Sequence, residues 1–539
     1  MTFKILTAFT ISALLASAPS LWAQDDPPRP PEAPDQDALL QMPEIEAAWA
    51  RGDFVTVREG LARLAQQRGD AFSAYRYGRV LLEGRGGPVD LIEAERWLSH
   101  AAQAGNGDAA TLLARLYLSG MQGGPARDTT RAAGLLSQAA TRGNAEAQYL
   151  LALLTDRGEG VAQDSAMAYN WFLAAAEQQH PAAQLEVSRA LSRGKGVAPD
   201  TAAALDWLTR AAENGEPEAQ FYLSYAYETG GGVAANPSES LLWLRRSAEA
   251  GFALAQRRLG ARYLTGEGAA QDSTEARRWL GLAAQTGDAQ SVHLLGLAQL
   301  GEDGGPADPD AGLRTLNMAS GAGYGSSTLR LAQIAETGLG DAMAPSLETA
   351  VTLYRKALAE DRPEAALRLG AMTGAGQLDG VVAPHLSVPW ALAAARGGDA
   401  GASDWLVARA DEGLRPALVA HGRWLLDQDR PGDAAARFRA AAQMGDTDAQ
   451  YELGRMFSEG QGVAQDYLTA HAWLNVAAAG GNGKAAELRG VIGDLITPEE
   501  EALAQARVRA FFAAVASAGP GDPVPMPDTA GADGAGVGE

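Results

Sequence analysis

The sequence contains no cysteine, so neither a disulfide framework nor a cysteine-anchored lipid can hold it, and packing alone must make it stable. Aromatic residues form only 6% of the chain, which leaves the small apolar positions to alanine and glycine, a composition that suits closely packed helices. Positive charge is also scarce: 44 lysines and arginines face 66 aspartates and glutamates, for a net charge of -22. Phosphate backbones would be repelled, which argues against nucleic acid as a partner. Beyond the N-terminal segment, no uncharged apolar run approaches the ~20 residues that span a bilayer, so no stable membrane insertion is expected.

Chemistry is sparse as well. The six histidines, His100, His180, His293, His385, His421 and His471, are scattered, and none has a second histidine four residues away on a helix, so no metal spacing arises. Neither a Gly-x-Ser-x-Gly elbow nor a Walker-type phosphate loop is present. Ser192 and Lys195 match the Ser-x-x-Lys spacing of penicillin-interacting enzymes. Those enzymes need the pair on one helical turn, however, and Gly194 stands where this helix should end. Gly230-Gly231-Gly232 follows no strand and reads as a helix stop, not a dinucleotide loop. Glu499, Glu500 and Glu501 read as a solvated helix start, because nothing fixes the two-carboxylate separation that glycoside hydrolysis requires. No catalytic residue, metal or cofactor is called for.

What the chain has in abundance is repetition. Asp164 and Trp171, Asp200 and Trp207, Asn236 and Trp243, and Asp272 and Trp279 recur every 36 residues. A full phrase runs Ala-Gln, Leu-Gly, Tyr, Gly-x-Gly-Val, Asp, Trp-Leu-x-x-Ala-Ala and Gly. Each phrase predicts two helices: Ala147, Leu150, Leu151 and Leu154 share helical spacing, Gly158 and Gly160 stop the first helix, and Ala168, Trp171, Ala175 and Ala176 mark the second. Asp164 is placed to cap the second helix. Its Trp lies two turns on, where the ring can fill space between units, and the alanines that follow permit close approach.

Residues 1–23 read as an export signal, with Lys4 before the apolar stretch and Leu21-Trp22-Ala23 at the cut; the alternative is an uncleaved anchor. Residues 24–37 carry five prolines among acidic residues and predict an extended linker. Residues 38–69 predict an opening helical pair and 70–398 the repeat array, with units starting near Asp70, Asn106, Asn144, His180, Glu216, Phe252, Asp288, Tyr324 and Arg362. The rhythm fails over 399–445, which suggests degenerate units or an extra helix. It returns at 446–481 and is followed by a helical cap at 482–518 and a Gly, Pro and Asp-rich tail at 519–539, expected to be disordered.

These residues resemble the Sel1-like repeat family, a tetratricopeptide-related set, over about residues 70–398 and 446–518. The resemblance implies an all-α fold, a right-handed α/α solenoid whose first helices line a concave face that holds partner proteins. It also implies a bacterial envelope adaptor, acting in signalling or in assembly of cell-surface polymers. Some relatives carry a disulfide in every unit; this chain carries none.

With the first helix so oriented, two positions per unit would face the groove. One column contains Tyr75, Tyr149, Phe221 and Arg257, and the other Arg79, Arg115, Arg189 and Tyr225. Arginine and aromatics dominate binding hot spots, so these eight are the candidate site. The bland reading is that the rings pack between first helices and the arginines neutralise nearby acids. A periplasmic or secreted scaffold for a protein or peptide is the leading expectation. A peptidoglycan or polysaccharide binder, with Tyr149, Phe221 and Tyr225 stacked on sugars, is the alternative, and a wall hydrolase stands behind both.

Overall fold

Each phrase of the sequence folds as two antiparallel helices because its capping residues, glycines and apolar positions agree. The computed structural model describes residues 42–302 and 304–517. The expected export signal, linker and tail therefore lie outside the described residues. The chain divides between Gln271 and Asp272 into two units.

Unit one contains α1 (Met42–Ala50), α2 (Phe54–Arg68), α3 (Ala71–Glu83), α4 (Leu91–Gln103), α5 (Gly107–Ser119), α6 (Thr129–Thr141) and α7 (Ala145–Arg157). It continues with α8 (Ser165–Glu177), α9 (Pro181–Arg193), α10 (Thr201–Glu213), α11 (Pro217–Thr229), α12 (Pro237–Glu249) and α13 (Ala253–Thr265). Unit two contains α14 (Ser273–Ala284), α15 (Ala289–Gln299), α16 (Pro309–Gly321), α17 (Gly325–Thr337), α18 (Leu347–Ala359), α19 (Glu364–Gly374) and α20 (Pro384–Arg396). It ends with α21 (Ala400–Asp411), α22 (Arg415–Asp427), α23 (Pro431–Gln443), α24 (Thr447–Glu459), α25 (Tyr467–Ala479), α26 (Gly483–Gly493) and α27 (Pro498–Ser517). The described residues hold no strand, only isolated bridges around Leu339, and no helix among them is long and apolar enough to cross a membrane. The architecture is an all-α solenoid.

The recurring residues each make a recurring contact. Asp164 caps α8 by accepting from the amides of Ala166 and Met167, both at 2.9 Å; Asp200 does the same for α10 and Asp272 for α14. The glutamine of each Ala-Gln pair is buried, and its amide donates to the end of the preceding second helix. Gln148 reaches Ala140, Gln184 reaches Ala176, Gln220 reaches Ala212, Gln256 reaches Ala248 and Gln450 reaches Ala442, each at 3.1 Å. Each such bond contributes about 1 kcal/mol and ties one hairpin to the last.

The two glycines of each loop do different work. Gly158, the first, ends α7 in the left-handed conformation at φ 71. The second, Gly160, touches the previous hairpin: a Cβ there would lie 2.3 Å from the Thr129 carbonyl oxygen at the start of α6. Gly86 sits likewise on Phe54, Gly196 on Ser165 and Gly462 on Pro431. At Gly232 and Gly268 the nearest atoms belong to side chains, Leu205 at 3.0 Å and Arg262 at 3.7 Å.

The tryptophans are unequal in depth. Trp97, Trp243, Trp279 and Trp473 are buried, whereas Trp171 and Trp207 are half-buried beside the core clusters.

In residues 399–445, α21 is a single helix packed on α19 and α20, and α22 packs on both α20 and α21 before pairing with α23. The α22–α23 pair keeps the usual contact of a first-helix glycine with a second-helix side chain: Gly422 faces the fully buried Phe438, as Gly454 faces Leu474. Its connection is only Gln428, Asp429 and Arg430, without the glycine loop, and the added helix α21 together with that shortening breaks the 36-residue rhythm. The C-terminal helix α27 lays Ala504, Val508 and Phe511 inward and meets α25 through Phe511 and Trp473, 5.6 Å apart.

Candidate partner-binding face

The candidate residues all lie on first helices of unit one, and the structure sorts them into three groups. Tyr75 and Tyr149 are buried. The Tyr149 ring stacks on His180, the residue that caps α9, with centroids 4.7 Å apart, and also meets Phe172 at 5.9 Å. Burial raises the Tyr149 hydroxyl far above its ordinary range. Tyr149 therefore offers no face to a sugar or a peptide.

The arginines are half-buried and paired. Arg79 bonds Glu83 at 2.8 Å. Arg115 pairs with Glu146, which also accepts from His180 Nε2 at 2.8 Å. His180 Nδ1 takes the Ala183 amide, so the neutral imidazole is protonated on Nε2 and serves both partners. Burial opposes ionisation of Glu146, but the His180 hydrogen bond and the Arg115 charge outweigh it and hold the carboxyl down to about 2. Arg189 is clasped by Glu186 and Glu218. Burial works against its charge, and the two carboxylates more than restore it.

In the third group, Phe221, Tyr225 and Arg257, only Tyr225 is open. Tyr225 is 45% exposed, and its neighbour Tyr222, absent from the sequence-derived columns, is 40% exposed. Phe221 lies half-buried beneath them, 5.7 Å from Tyr222 and 5.4 Å from Phe252 at the head of α13. Guanidinium groups stand over both outer rings, Arg189 at 5.9 Å from Tyr222 and Arg258 at 5.5 Å from Tyr225. Arg258 also bonds Glu228 at 2.6 Å, and Arg262 meets the same carboxylate at 2.9 Å. Arg257, also on α13, is half-buried. Leu254 adds exposed apolar surface beside Phe252. At the other edge, burial and then Glu218 raise the pKa of Glu216.

Rings and arginines on α9, α11 and α13 thus make one amphipathic patch. Tyr222, Phe252, Leu254 and Arg258 escape the two-column reading because they sit at the head of a helix or one residue beyond a column. A search for exposed rings one place after each predicted groove position would have found Tyr222.

Among the described residues no cluster of histidine, aspartate and glutamate could hold a metal ion. Ser192 and Lys195 part at the end of α9: Gly194 takes φ 68 and caps the helix, and Lys195 extends to Asp156 at 2.6 Å.

Comparison with known proteins agrees with this architecture. The Sel1 repeat profile matches residues 71–106, 107–144, 145–180, 181–216, 217–252, 253–288, 326–361, 363–399 and 447–482. Each match begins one or two residues after a unit start read from the sequence. The hairpin of α15 and α16 falls outside them yet keeps the same packing of Gly296 on Leu316. Among solved structures, c5321, described as a protective antigen present in uropathogenic Escherichia coli strains displaying an SLR fold, is 28% identical. That match covers 84% of this chain and 94% of c5321, with a TM-score of 0.54. A Sel1 repeat protein from Oxalobacter formigenes is also 28% identical, over 58% of this chain and 98% of its own, with a TM-score of 0.42. No curated protein matches. Sel1 repeats generally serve as scaffolds for protein interaction. The nine matched segments together cover more than half of the sequence, and the chain belongs to the Sel1 repeat family.

Proposed function

We propose that this protein is a non-enzymatic scaffold of the bacterial periplasm or cell exterior that holds a segment of a partner protein on the α9, α11 and α13 face of unit one. The observation that carries this reading is the exposure of Tyr222 and Tyr225 on adjacent turns of one helix, over a floor of Phe221 and Phe252. Large rings bury much area at little ordering cost, and arginine beside them adds directional bonds. The export pattern in residues 1–23 supports the location. An envelope protein is the expected partner, in signalling or in the assembly of surface polymers.

The test places a photo-crosslinking residue at Tyr225 or, as a control, at exposed Met167 on the second helix α8. The reading expects one protein captured from position 225 and not from 167, with capture lost in Tyr222→Ala. Equal capture from both positions would refute it. Displacement by soluble peptidoglycan fragments would instead favour the glycan reading, in which Phe221 and Tyr225 remain as stacking rings and Tyr149 does not.

A further inference from the structure

We infer that the patch takes an extended acidic peptide segment, whose apolar side chain rests on Tyr222 and Tyr225 while a carboxylate meets Arg258 at the α13 end. This deepens the scaffold reading and rests on it.

Charge is distributed unevenly across the patch. Helix α13 contains Arg257, Arg258 and Arg262 and no aspartate or glutamate, inside a chain of net charge -22. Helix α11 contains Glu218 and Glu228 and no basic residue. The pairs that join them are unequal. Arg189, on the α9 side, is held by two carboxylates, Glu186 and Glu218, and Glu216 lies close by. On the α13 side a single carboxylate, Glu228, serves both Arg258 and Arg262. One end of the aromatic floor is therefore locally negative and the other locally positive.

This polarity orients a ligand. A carboxylate near Arg258 gains a charge-assisted bond, whereas one placed near Glu216 and Glu218 meets like charge. The bound segment should thus run with its acidic end toward α13 and a neutral or basic residue over the head of α11. Arg258 lies over the Tyr225 ring as well, so a carboxylate bound to it sits next to the apolar contact, and one short motif of acid and large apolar residue satisfies both. The chain's overall charge repels such a peptide at long range while the local contacts attract it. Those forces are screened to different extents, which makes charge exchange a cleaner probe than ionic strength.

The experiment uses the exported full chain and three labelled probe peptides at fixed moderate salt, read by fluorescence anisotropy. The first probe is built of glutamate and leucine with one tryptophan, and in the others glutamine or lysine replaces glutamate. Tyr222→Ala with Tyr225→Ala should abolish binding of the acidic probe. Arg258→Glu should weaken it about tenfold, while Glu228→Gln, which releases Arg258, should tighten it several-fold. Circular dichroism should show unchanged helicity in every variant.

Indifference of the acidic probe to Arg258→Glu, or equal affinity for the glutamine probe, would overturn the inference. So would ring-dependent binding of the lysine probe, displacement by soluble glycan, or binding only after residues 24–41 are removed, which would make the chain's own acidic segment the occupant. If crosslinking at Tyr225 still captures a protein while the acidic probe fails, the chemistry proposed here falls and the scaffold reading stands. If both fail, both fall.

Discussion

Unit one and unit two use the same hairpin but resolve their polar side chains differently. In unit one, His100 meets the Gly69 carbonyl at 2.7 Å, and His180 joins the Glu146 carboxylate to the head of α9. In unit two, His421 and His471 are each 4% exposed, and the Nδ1 of each lacks a protein partner. His293 is half-buried against Tyr324 and bonds Ser327 at 2.9 Å. Burial, then neighbouring arginines, push His293 and His421 down to about 4, and burial lowers His471. The comparison shows that a repeat tolerates a histidine at a cap, where backbone amides and carboxylates converge. The same residue inside a helix face costs stability once it must charge.

The largest effect separating the units should come from Phe438→Ala. It removes a fully buried ring that fills the space left by Gly422, and should cost unit two about 3–5 kcal/mol. Hydrogen exchange resolved by peptide should show faster opening across α22 and α23 with unit one unchanged. A uniform loss of protection would erase the distinction between units.

Acid should divide them next. For a buried histidine the unfolded state binds more protons between its own value of 6.5 and the folded value of about 4, so stability rises with pH across that window. That stability is complete above 6.5 and is lost as pH falls toward 4, by on the order of 2 kcal/mol at the buried His421 and by less at the half-buried His293, which solvent screens. Glu146 in unit one behaves differently: its contribution is full above 4.5 and declines only as pH falls toward about 2. Glu216, raised in the fold, is relieved by acid. Between pH 6.5 and 4.5, exchange corrected for intrinsic rate should therefore quicken in unit two and hold in unit one. His421→Leu should flatten the response, and an equally steep response in that variant would remove His421 from the explanation.

A smaller difference is expected within unit one. Gly160→Ala forces a side chain against the Thr129 carbonyl at positive φ and should cost about 2 kcal/mol or more. Gly232→Ala has the same strain but only the Leu205 side chain to displace, and should cost about 1 kcal/mol. Denaturant midpoints of the two variants test this, and equal shifts would show that the inter-hairpin contact contributes nothing. Least of all, Tyr222→Ala and Tyr225→Ala should each move the midpoint by no more than about 0.5 kcal/mol, because exposed side chains away from caps and core rarely matter to folding. A larger loss would make these rings part of the core.

Much of the fold was legible because its signals are local and repeated. Asp164, Asp200 and Asp272 predict caps, and caps they are. Gly158 predicts a left-handed stop and supplies one. The contact of Gly160 with Thr129 was hidden, since positive φ alone explains a loop glycine and only the neighbouring hairpin reveals the second reason. Residues 399–445 lost their rhythm through the extra helix α21 and a shortened connection, while Gly422 and Phe438 kept the packing that periodicity is meant to detect. The candidate face was partly legible. Tyr149 and Tyr225 occupy predicted groove positions, yet the first is covered by His180 and the second is open. Tyr149 stands in the first column, whose rings meet the residue 31 positions later, as Phe221 meets Phe252 and His293 meets Tyr324, whereas Tyr225 stands in the second.

The glycine contacts also have a mechanical meaning. At Gly86, Gly160 and Gly196 successive hairpins of unit one meet backbone to backbone, and a load along the array would find rigid joints there. At Gly124 and Gly232 the previous hairpin is met only through a side chain, Leu91 and Leu205, and side chains yield by rotating. The second of these softer joints follows α11, which carries Tyr222 and Tyr225. Pulled from its ends, unit one would yield at two joints, one of them beside its exposed rings, while the backbone-to-backbone joints between them hold their spacing.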